Sequence, residues 1–104
     1  MISRHWKGIA QREFADRYVG HLKGETFPQL ASLPGFVRAT VLRRELATGT
    51  EFQVVTLWAS LTSIESFTGV DVDAAVVLSE VQAMMVDYDR SVAHYEVVHA
   101  FAAD

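Results

Sequence analysis

Cysteine is absent from the 104-residue sequence. Its absence excludes disulfide bonds, thiolate nucleophiles, cysteine-ligated zinc sites and iron–sulfur clusters. The six glycines are scattered along the chain, so no glycine-rich loop is present to cradle a phosphate group. No apolar run approaches the roughly 18 residues that a membrane-spanning helix needs, and the first residues are too polar for a signal peptide. We therefore expect a cytoplasmic protein that has no membrane partner.

Hydrophobic residues make up 50% of the sequence and charged residues 21%, which is enough apolar surface for one well-packed core. The length fits a single domain over residues 1–104. Residues 1–50 contain 8 Lys and Arg against 4 Asp and Glu, whereas residues 51–104 contain 1 against 9, for a total charge of −4. The basic residues are dispersed, and only Arg43 and Arg44 are adjacent. We therefore expect no nucleic-acid partner.

The spacing of apolar residues predicts an order of β-α-β-β-α-α-β. The predicted elements are a strand over 2–7, a helix over 11–30 with a break at Pro28, strands over 36–45 and 52–58, a short helix with a capping box at Thr62 that ends at Gly69, a helix within 74–86 and a strand over 92–99. This order indicates an α+β, ferredoxin-like antiparallel sheet with the helices on one face. The strands also carry apolar residues toward the other face. We therefore expect a homodimer that forms through this sheet face.

Several segments resemble the antibiotic biosynthesis monooxygenase domain family. They are residues 4–8, 18–30, 33–36, 55–61 and 94–97, and they occur in the order typical of that family across nearly the whole chain. The resemblance implies a dimeric α/β barrel, in which two ferredoxin-like sheets close against each other. It also implies a pocket between each sheet and its helices. Members of the family include cofactor-independent oxygenases of aromatic polyketides and haem-degrading enzymes.

The sequence departs from the haem-degrading branch of that family. It contains no Asn, although both oxygenase branches are associated with an Asn in the pocket. The Trp and the iron-ligating His that are typical of haem-degrading members would fall near Phe67 and Val77. The resemblance therefore disfavours haem degradation, and we expect neither a cofactor nor a metal. Trp58 and Phe67 are predicted to contact substrate on the basis of this resemblance.

Histidines are the natural candidates for proton transfer near neutral pH, and we name His5 and His94 as candidate catalytic residues. Alternation along the first strand sends His5 and Trp6 to opposite faces, so only one of the two reaches the pocket. Trp6 is a candidate for stacking on a planar substrate. Tyr18 and Met84 are also predicted to line the pocket. His21 and Glu25 stand at positions i and i+4 of the first helix and form either a polar pair at the pocket mouth or a solvated pair, of which we favour the solvated pair.

The favoured function is that of a homodimer that binds a small apolar or aromatic molecule and acts as a cofactor-independent monooxygenase on a quinol-like substrate. In this hypothesis, a histidine removes a proton from a phenol or an enol, and the resulting carbanion reacts with O2. Two alternatives stay open. One is a ligand-binding or structural dimer without turnover, and the other is a small-molecule isomerase on the same fold.

Overall fold

A five-stranded antiparallel sheet forms one layer of the protein, and helices cover one of its faces. The structure is a computed structural model that describes residues 1–103. The strand order is β2-β3-β1-β4, and β5 also pairs with β1. The strands are β1 (Ile2–Ala10), β2 (Phe36–Leu46), β3 (Gly49–Trp58), β4 (Met85–Tyr88) and β5 (Ala93–Glu96). The predicted α+β, ferredoxin-like arrangement is therefore confirmed.

Strand β1 lies at the centre of the sheet, and two short strands share one of its edges. β4 pairs with the end of β1 near Gly8 and Ala10, whereas β5 pairs with its beginning, from Ile2 to His5. The predicted last strand over 92–99 is shorter in the structure. The prediction of a helix within 74–86 holds only for a single turn, and residues 85–88 form a strand instead. A short apolar run fits both the helical and the extended pattern, so its periodicity alone could not separate the two.

The first helical segment changes its winding part-way along. Helix α1 (Ala15–His21) continues through a π-helical turn at Leu22–Thr26 into helix α2 (Phe27–Ala31). In the π-helical turn, the Phe27 amide donates to the Leu22 carbonyl. Pro28 has no amide hydrogen, and its ring would clash with the carbonyl four residues earlier in a regular α-helix. The wider turn relieves that clash and accounts for the break predicted at Pro28.

Two further helices complete the covered face of the sheet. Helix α3 (Leu61–Thr68) begins after Ser60, whose hydroxyl accepts a hydrogen bond from the Ser63 amide at 3.2 Å. The cap is therefore Ser60 and not the predicted Thr62. The helix ends at Gly69, as predicted, with a φ of +79° that favours glycine. Helix α4 (Ser79–Gln82) is a single turn. Within residues 1–103, no helix is long and apolar enough to cross a membrane.

The core consists of two groups of buried side chains between the sheet and the helices. One group is centred on Phe52, Tyr18 and Leu22, and the other on Trp58, Ile64 and Leu30. Even-numbered residues of β1 and β3 point to this side, as the pairing of Trp6 with Val54 illustrates. The odd-numbered residues point to the face that no helix covers, which we call the open face. Trp6 therefore faces the helices, and His5 lies on the open face.

Replacing Ile64 with Ala tests the second core group. The Ile64 side chain is fully buried, so its truncation leaves a cavity and should lower the free energy of unfolding by about 2–5 kcal/mol. Urea denaturation followed by circular dichroism measures the change. Leu61→Ala on the same helix is the control, because Leu61 is 45% exposed and should cost less than about 1 kcal/mol. Equal losses in the two variants would contradict the proposed packing.

Candidate functional site

A cavity of about 130 Å³ lies between the covered face of the sheet and the helices. Strands β1 and β3 form its floor, and helices α1 and α2 form one wall. The segment between α3 and α4 contributes Val76, Val77 and Leu78. An engineered apolar cavity of about 150 Å³ in another protein binds benzene, so this volume suits a single aromatic ring. The cavity occupies the position that the sequence predicts for a ligand pocket.

Aromatic side chains from four elements line the cavity. They are Trp6 of β1, Tyr18 of α1, Phe27 at the start of α2 and Phe67 of α3. The Trp6 indole donates a hydrogen bond to the Asp89 carbonyl oxygen at 2.8 Å, which fixes the ring orientation. A Cβ atom at Gly8 would come within 2.5 Å of the Trp6 ring. Glycine at this position therefore allows the indole to lie over its own strand.

Tyr18 is buried, and its ring meets the Phe52 ring edge-on at a centroid distance of 5.0 Å. Burial raises the pKa of the Tyr18 hydroxyl well above its usual value, because the phenolate would lose its hydration. The hydroxyl therefore stays protonated at neutral pH. It can donate a hydrogen bond to an oxygen atom of a ligand but cannot act as a base.

Arg4 is a buried cation at the edge of the cavity, with 5% of its surface exposed. Its guanidinium donates hydrogen bonds to the Val72 carbonyl and, at 2.9 Å, to the Ala74 carbonyl. It also lies 5.6 Å from the centroid of the Phe67 ring, in a cation–π arrangement. Burial lowers the pKa of Arg4, and the negative charge of Asp73 partly offsets this effect. Arg4 thus connects the first strand to the segment that follows α3.

His94 is engaged by protein groups at both of its ring nitrogens. Nε2 lies 3.0 Å from a guanidinium nitrogen of Arg4, and Nδ1 lies 3.3 Å from the Asp73 carboxylate. A guanidinium can only donate hydrogen bonds, so Nε2 must accept one and the imidazole must be neutral. The proton therefore resides on Nδ1 and is donated to Asp73. His94 does not line the cavity.

The residues around Asp73 form a strap across one end of the cavity, which we define as residues 71–78. The Val92 amide donates to the Asp73 carbonyl and the Ala75 amide to the Arg90 carbonyl, each at 2.9 Å. Ala74 also forms an isolated bridge with Ser91. Together with the bonds from Arg4, these contacts hold the strap in place. Its last residues then cover the aromatic side chains.

The residues predicted to contact substrate occupy two kinds of position. Trp6, Tyr18 and Phe67 line the cavity. Trp58 is fully buried behind it, stacked on Phe67 at 6.2 Å between centroids, and Met84 belongs to the core. Their side chains support the cavity wall without forming part of it.

The two candidate catalytic histidines are separated by the sheet. His5 and His94 lie on neighbouring strands, but the register sends His5 to the open face and His94 to the covered face. His5 accepts or donates a hydrogen bond with the Ser3 hydroxyl at 2.7 Å and meets the Tyr95 ring edge-on. Burial lowers the pKa of His5. The structure therefore does not bring the two histidines together.

His21 lines the cavity, although the sequence favours a solvated pair with Glu25 over a polar pair at the pocket mouth. Its side chain is 7% exposed, and its Nδ1 lies 2.9 Å from a Glu25 carboxylate oxygen and 3.9 Å from an oxygen of Glu80. Among the residues that the structure describes, these three are the group whose donor atoms are close enough to hold a metal ion. Both carboxylates are more than half exposed, whereas the His21 side chain is nearly buried. Water therefore reaches the two glutamates much more than it reaches the imidazole.

Sequence reasoning did not single out Arg4 or recognise the position of His21. Arg4 stands two residues before Trp6, so strand alternation places both side chains on the same face. That signal was present in the sequence. His21 lies one turn after Tyr18, on the apolar stripe of the first helix, and this spacing was the corresponding signal for its burial.

Several solved structures have a similar fold, including those of two proposed antibiotic biosynthesis monooxygenases. No protein-family model matches the chain, and no curated protein matches it. One structure is that of a proposed antibiotic biosynthesis monooxygenase from Bacillus cereus, with a TM-score of 0.67 and 19% identity over 98% of this chain and 97% of that one. The other is that of a proposed antibiotic biosynthesis monooxygenase from Deinococcus radiodurans, with a TM-score of 0.65 and 16% identity over 100% of this chain and 99% of that one.

This chain has their fold. The likeness extends over almost the full length of both proteins, so it includes the strap and both short edge strands. It supports the resemblance to the antibiotic biosynthesis monooxygenase family that the sequence segments indicate.

Replacing Arg4 with Met tests whether the guanidinium holds the strap. Methionine fills similar apolar space but cannot donate to the Val72 and Ala74 carbonyls, and hydrogen bonds from charged groups are among the stronger ones. Amide hydrogen exchange within residues 71–78 should accelerate at least roughly tenfold, with a smaller change in β3. Arg17→Met is the control, because Arg17 is exposed. Unchanged exchange in the strap of the Arg4 variant would show that other contacts hold it.

Proposed function

We propose that the protein binds a small, mostly apolar aromatic molecule in the cavity and oxidises it with O2 without a cofactor. The observation that carries this proposal is the aromatic lining of a cavity sized for one ring. Trp6 and Phe67 supply flat surfaces for stacking, while Tyr18 and Arg4 supply hydrogen-bond donors at the edge. The names of the two proteins of similar fold agree with oxygen chemistry.

The proposed reaction uses the electrons of the substrate itself. Loss of a proton from a phenol or an enol makes the ring carbon electron-rich. That carbon forms a bond with O2, and the adduct takes up the proton to become a hydroperoxide. Elimination of water then leaves a carbonyl group at that carbon, and the two hydrogens of the water come from the substrate hydroxyl and from the same carbon. One oxygen atom ends in the product and the other in water, so no external reductant is needed.

The surroundings of the cavity favour this chemistry over reaction in bulk water. Arg4 places a positive charge beside the cavity, where it stabilises the anion that deprotonation creates. The strap and the aromatic wall limit access by water, which strengthens that electrostatic effect. His5 would act only from the open face, and His94 would need to release Arg4 before it could accept a proton.

A ligand-binding protein without turnover is the main alternative, and the positions of the two predicted histidines favour it. Neither His5 nor His94 lines the cavity, so neither is in place to remove a proton from a bound ligand. An isomerase would share the deprotonation step but would consume no oxygen. Oxygen uptake therefore separates the three functions.

An oxygen electrode with single-ring quinol substrates tests the reaction directly. We expect oxygen uptake that persists after treatment with a chelator. Val54→Trp should abolish both uptake and ligand binding, because the larger side chain fills the cavity. Val70→Trp is the matched control, since Val70 is 98% exposed. Ligand binding without oxygen uptake would contradict the oxygenase and support one of the two alternatives.

A homodimer through the open face completes the proposal. The open face carries Leu42 and Tyr95, which are 52% and 57% exposed, beside the partly exposed Val55 and Leu57. Apolar side chains in one patch of a sheet lose contact with water when a second copy covers them. A two-fold axis would bring the same patch of both copies together. His5 would then lie at the interface.

Replacing Leu42 with Asp tests this interface. Leu42 lies on the open face of the edge strand β2, opposite Gln53 of β3. A carboxylate there would be costly to bury under a second copy, so the dimer should dissociate to a monomer in sedimentation equilibrium. The control is Val70→Asp, which introduces the same charge at an exposed site outside the sheet. A Leu42 variant that stays dimeric, or a wild-type protein that is monomeric at all concentrations, would contradict the interface.

A further inference from the structure

His21 stands between the cavity and a separate cleft on the outer side of the first helix. It lines both, whereas its partners Glu25 and Glu80 line only the outer cleft. Nδ1, which lies next to both carboxylates, therefore faces the cleft, and another part of the His21 side chain faces the cavity. A nearly buried imidazole in this position connects a ligand in the cavity with charges at the surface.

The contact with Glu25 bears on which ring nitrogen is available to a ligand. A carboxylate oxygen of Glu25 lies 2.9 Å from Nδ1 and offers no hydrogen, so its negative charge favours the neutral imidazole that carries its proton on Nδ1. Nε2 then carries the free lone pair. In residues 1–103, no buried side-chain nitrogen or oxygen lacks a hydrogen-bond partner, and Nε2 has no protein partner. Nε2 must therefore border open space, which is either the cavity or the outer cleft, since His21 lines both.

Two carboxylates lie beside the Nδ1 side of the imidazole, Glu25 at 2.9 Å and Glu80 at 3.9 Å. Both would attract a positive charge on the ring. Arg17 lines the same cleft and opposes this effect, but it forms no hydrogen bond or ion pair with the ring. An acidic residue behind a histidine that also fixes the orientation of the ring is a common arrangement for a general base.

We propose that His21, oriented by Glu25 and supported by Glu80, is the base that accepts the hydroxyl proton of a phenol or an enol bound in the cavity. The ligand O–H bond breaks, an N–H bond forms at Nε2, and the ligand becomes an anion beside an imidazolium. This inference rests on the proposed function, because it takes the same cavity and the same class of ligand. Glu25 and Glu80 are positioning residues in it.

The colour of bound 4-nitrophenol tests the inference without requiring turnover, because the phenolate and the phenol absorb at different wavelengths. Below the pKa of free nitrophenol, the bound probe should appear largely as phenolate in the wild-type protein. His21→Gln should lower the bound phenolate-to-phenol ratio at least roughly tenfold. Glu25→Gln should lower it less, and Glu80→Gln least, in the order of their distances. Glu65→Gln, at an exposed position on α3, should leave it unchanged.

Every other outcome contradicts a specific part of the proposal that His21 is the base or of the proposed function. An equal ratio in wild type and His21→Gln would assign the histidine a structural role only, even if the variant were less stable. If the ratio falls in His5→Gln and not in His21→Gln, the base is His5 on the open face. A signal that disappears on chelation would show a metal at His21, Glu25 and Glu80 in place of a proton. Nitrophenol that does not bind contradicts both proposals, whereas bound phenolate without oxygen uptake overturns only the oxygenation.

Discussion

The buried guanidinium of Arg4 holds the cavity together. A cation with 5% of its surface exposed must have its hydrogen bonds satisfied, and its partners come from the strap and from the last strand. One side chain of the first strand thereby links segments that lie about 70 and 90 residues further along the chain. The same charge sets the tautomer of His94 and lies beside the space that a ligand would occupy. Arg4 therefore contributes both to the stability of the fold and to the charge beside the ligand site.

Much of the fold follows from local patterns in the sequence. The alternation along β1 and β3, the turn around Gly49 and the helical stripe through Tyr18 are each specified by nearby residues, and together they predict a ferredoxin-like sheet. The same patterns place Tyr18 and Phe67 on the apolar sides of their helices. They also send His5 and Trp6 to opposite faces of the sheet without deciding which of the two faces the helices. Trp6, Tyr18 and Phe67 line the cavity, because the period of two in strands and the period of 3.6 in helices decide which face a residue occupies.

The remaining features depend on contacts between distant parts of the chain. Residues 85–88 form a strand because the edge of β1 near Gly8 and Ala10 is available for pairing, and no local signal encodes that edge. Glu80 approaches His21 only because α4 packs beside α1, so the sequence shows the Glu25 contact but not the second carboxylate. Similarly, Arg4 and His94 become partners only when β5 pairs with β1. Local pattern thus predicts the wall of the cavity, and tertiary packing supplies its polar groups.

A crystal structure of the protein with a bound quinol or nitrophenol tests the central claim, that the cavity between sheet and helices is the functional site. We expect ligand density between Trp6 and Phe67, with the ligand hydroxyl within hydrogen-bond distance of His21 Nε2. We also expect Arg4 to keep its hydrogen bonds to the strap. Ligand density on the open face beside His5, or an unchanged cavity at concentrations that saturate binding in solution, would contradict the account.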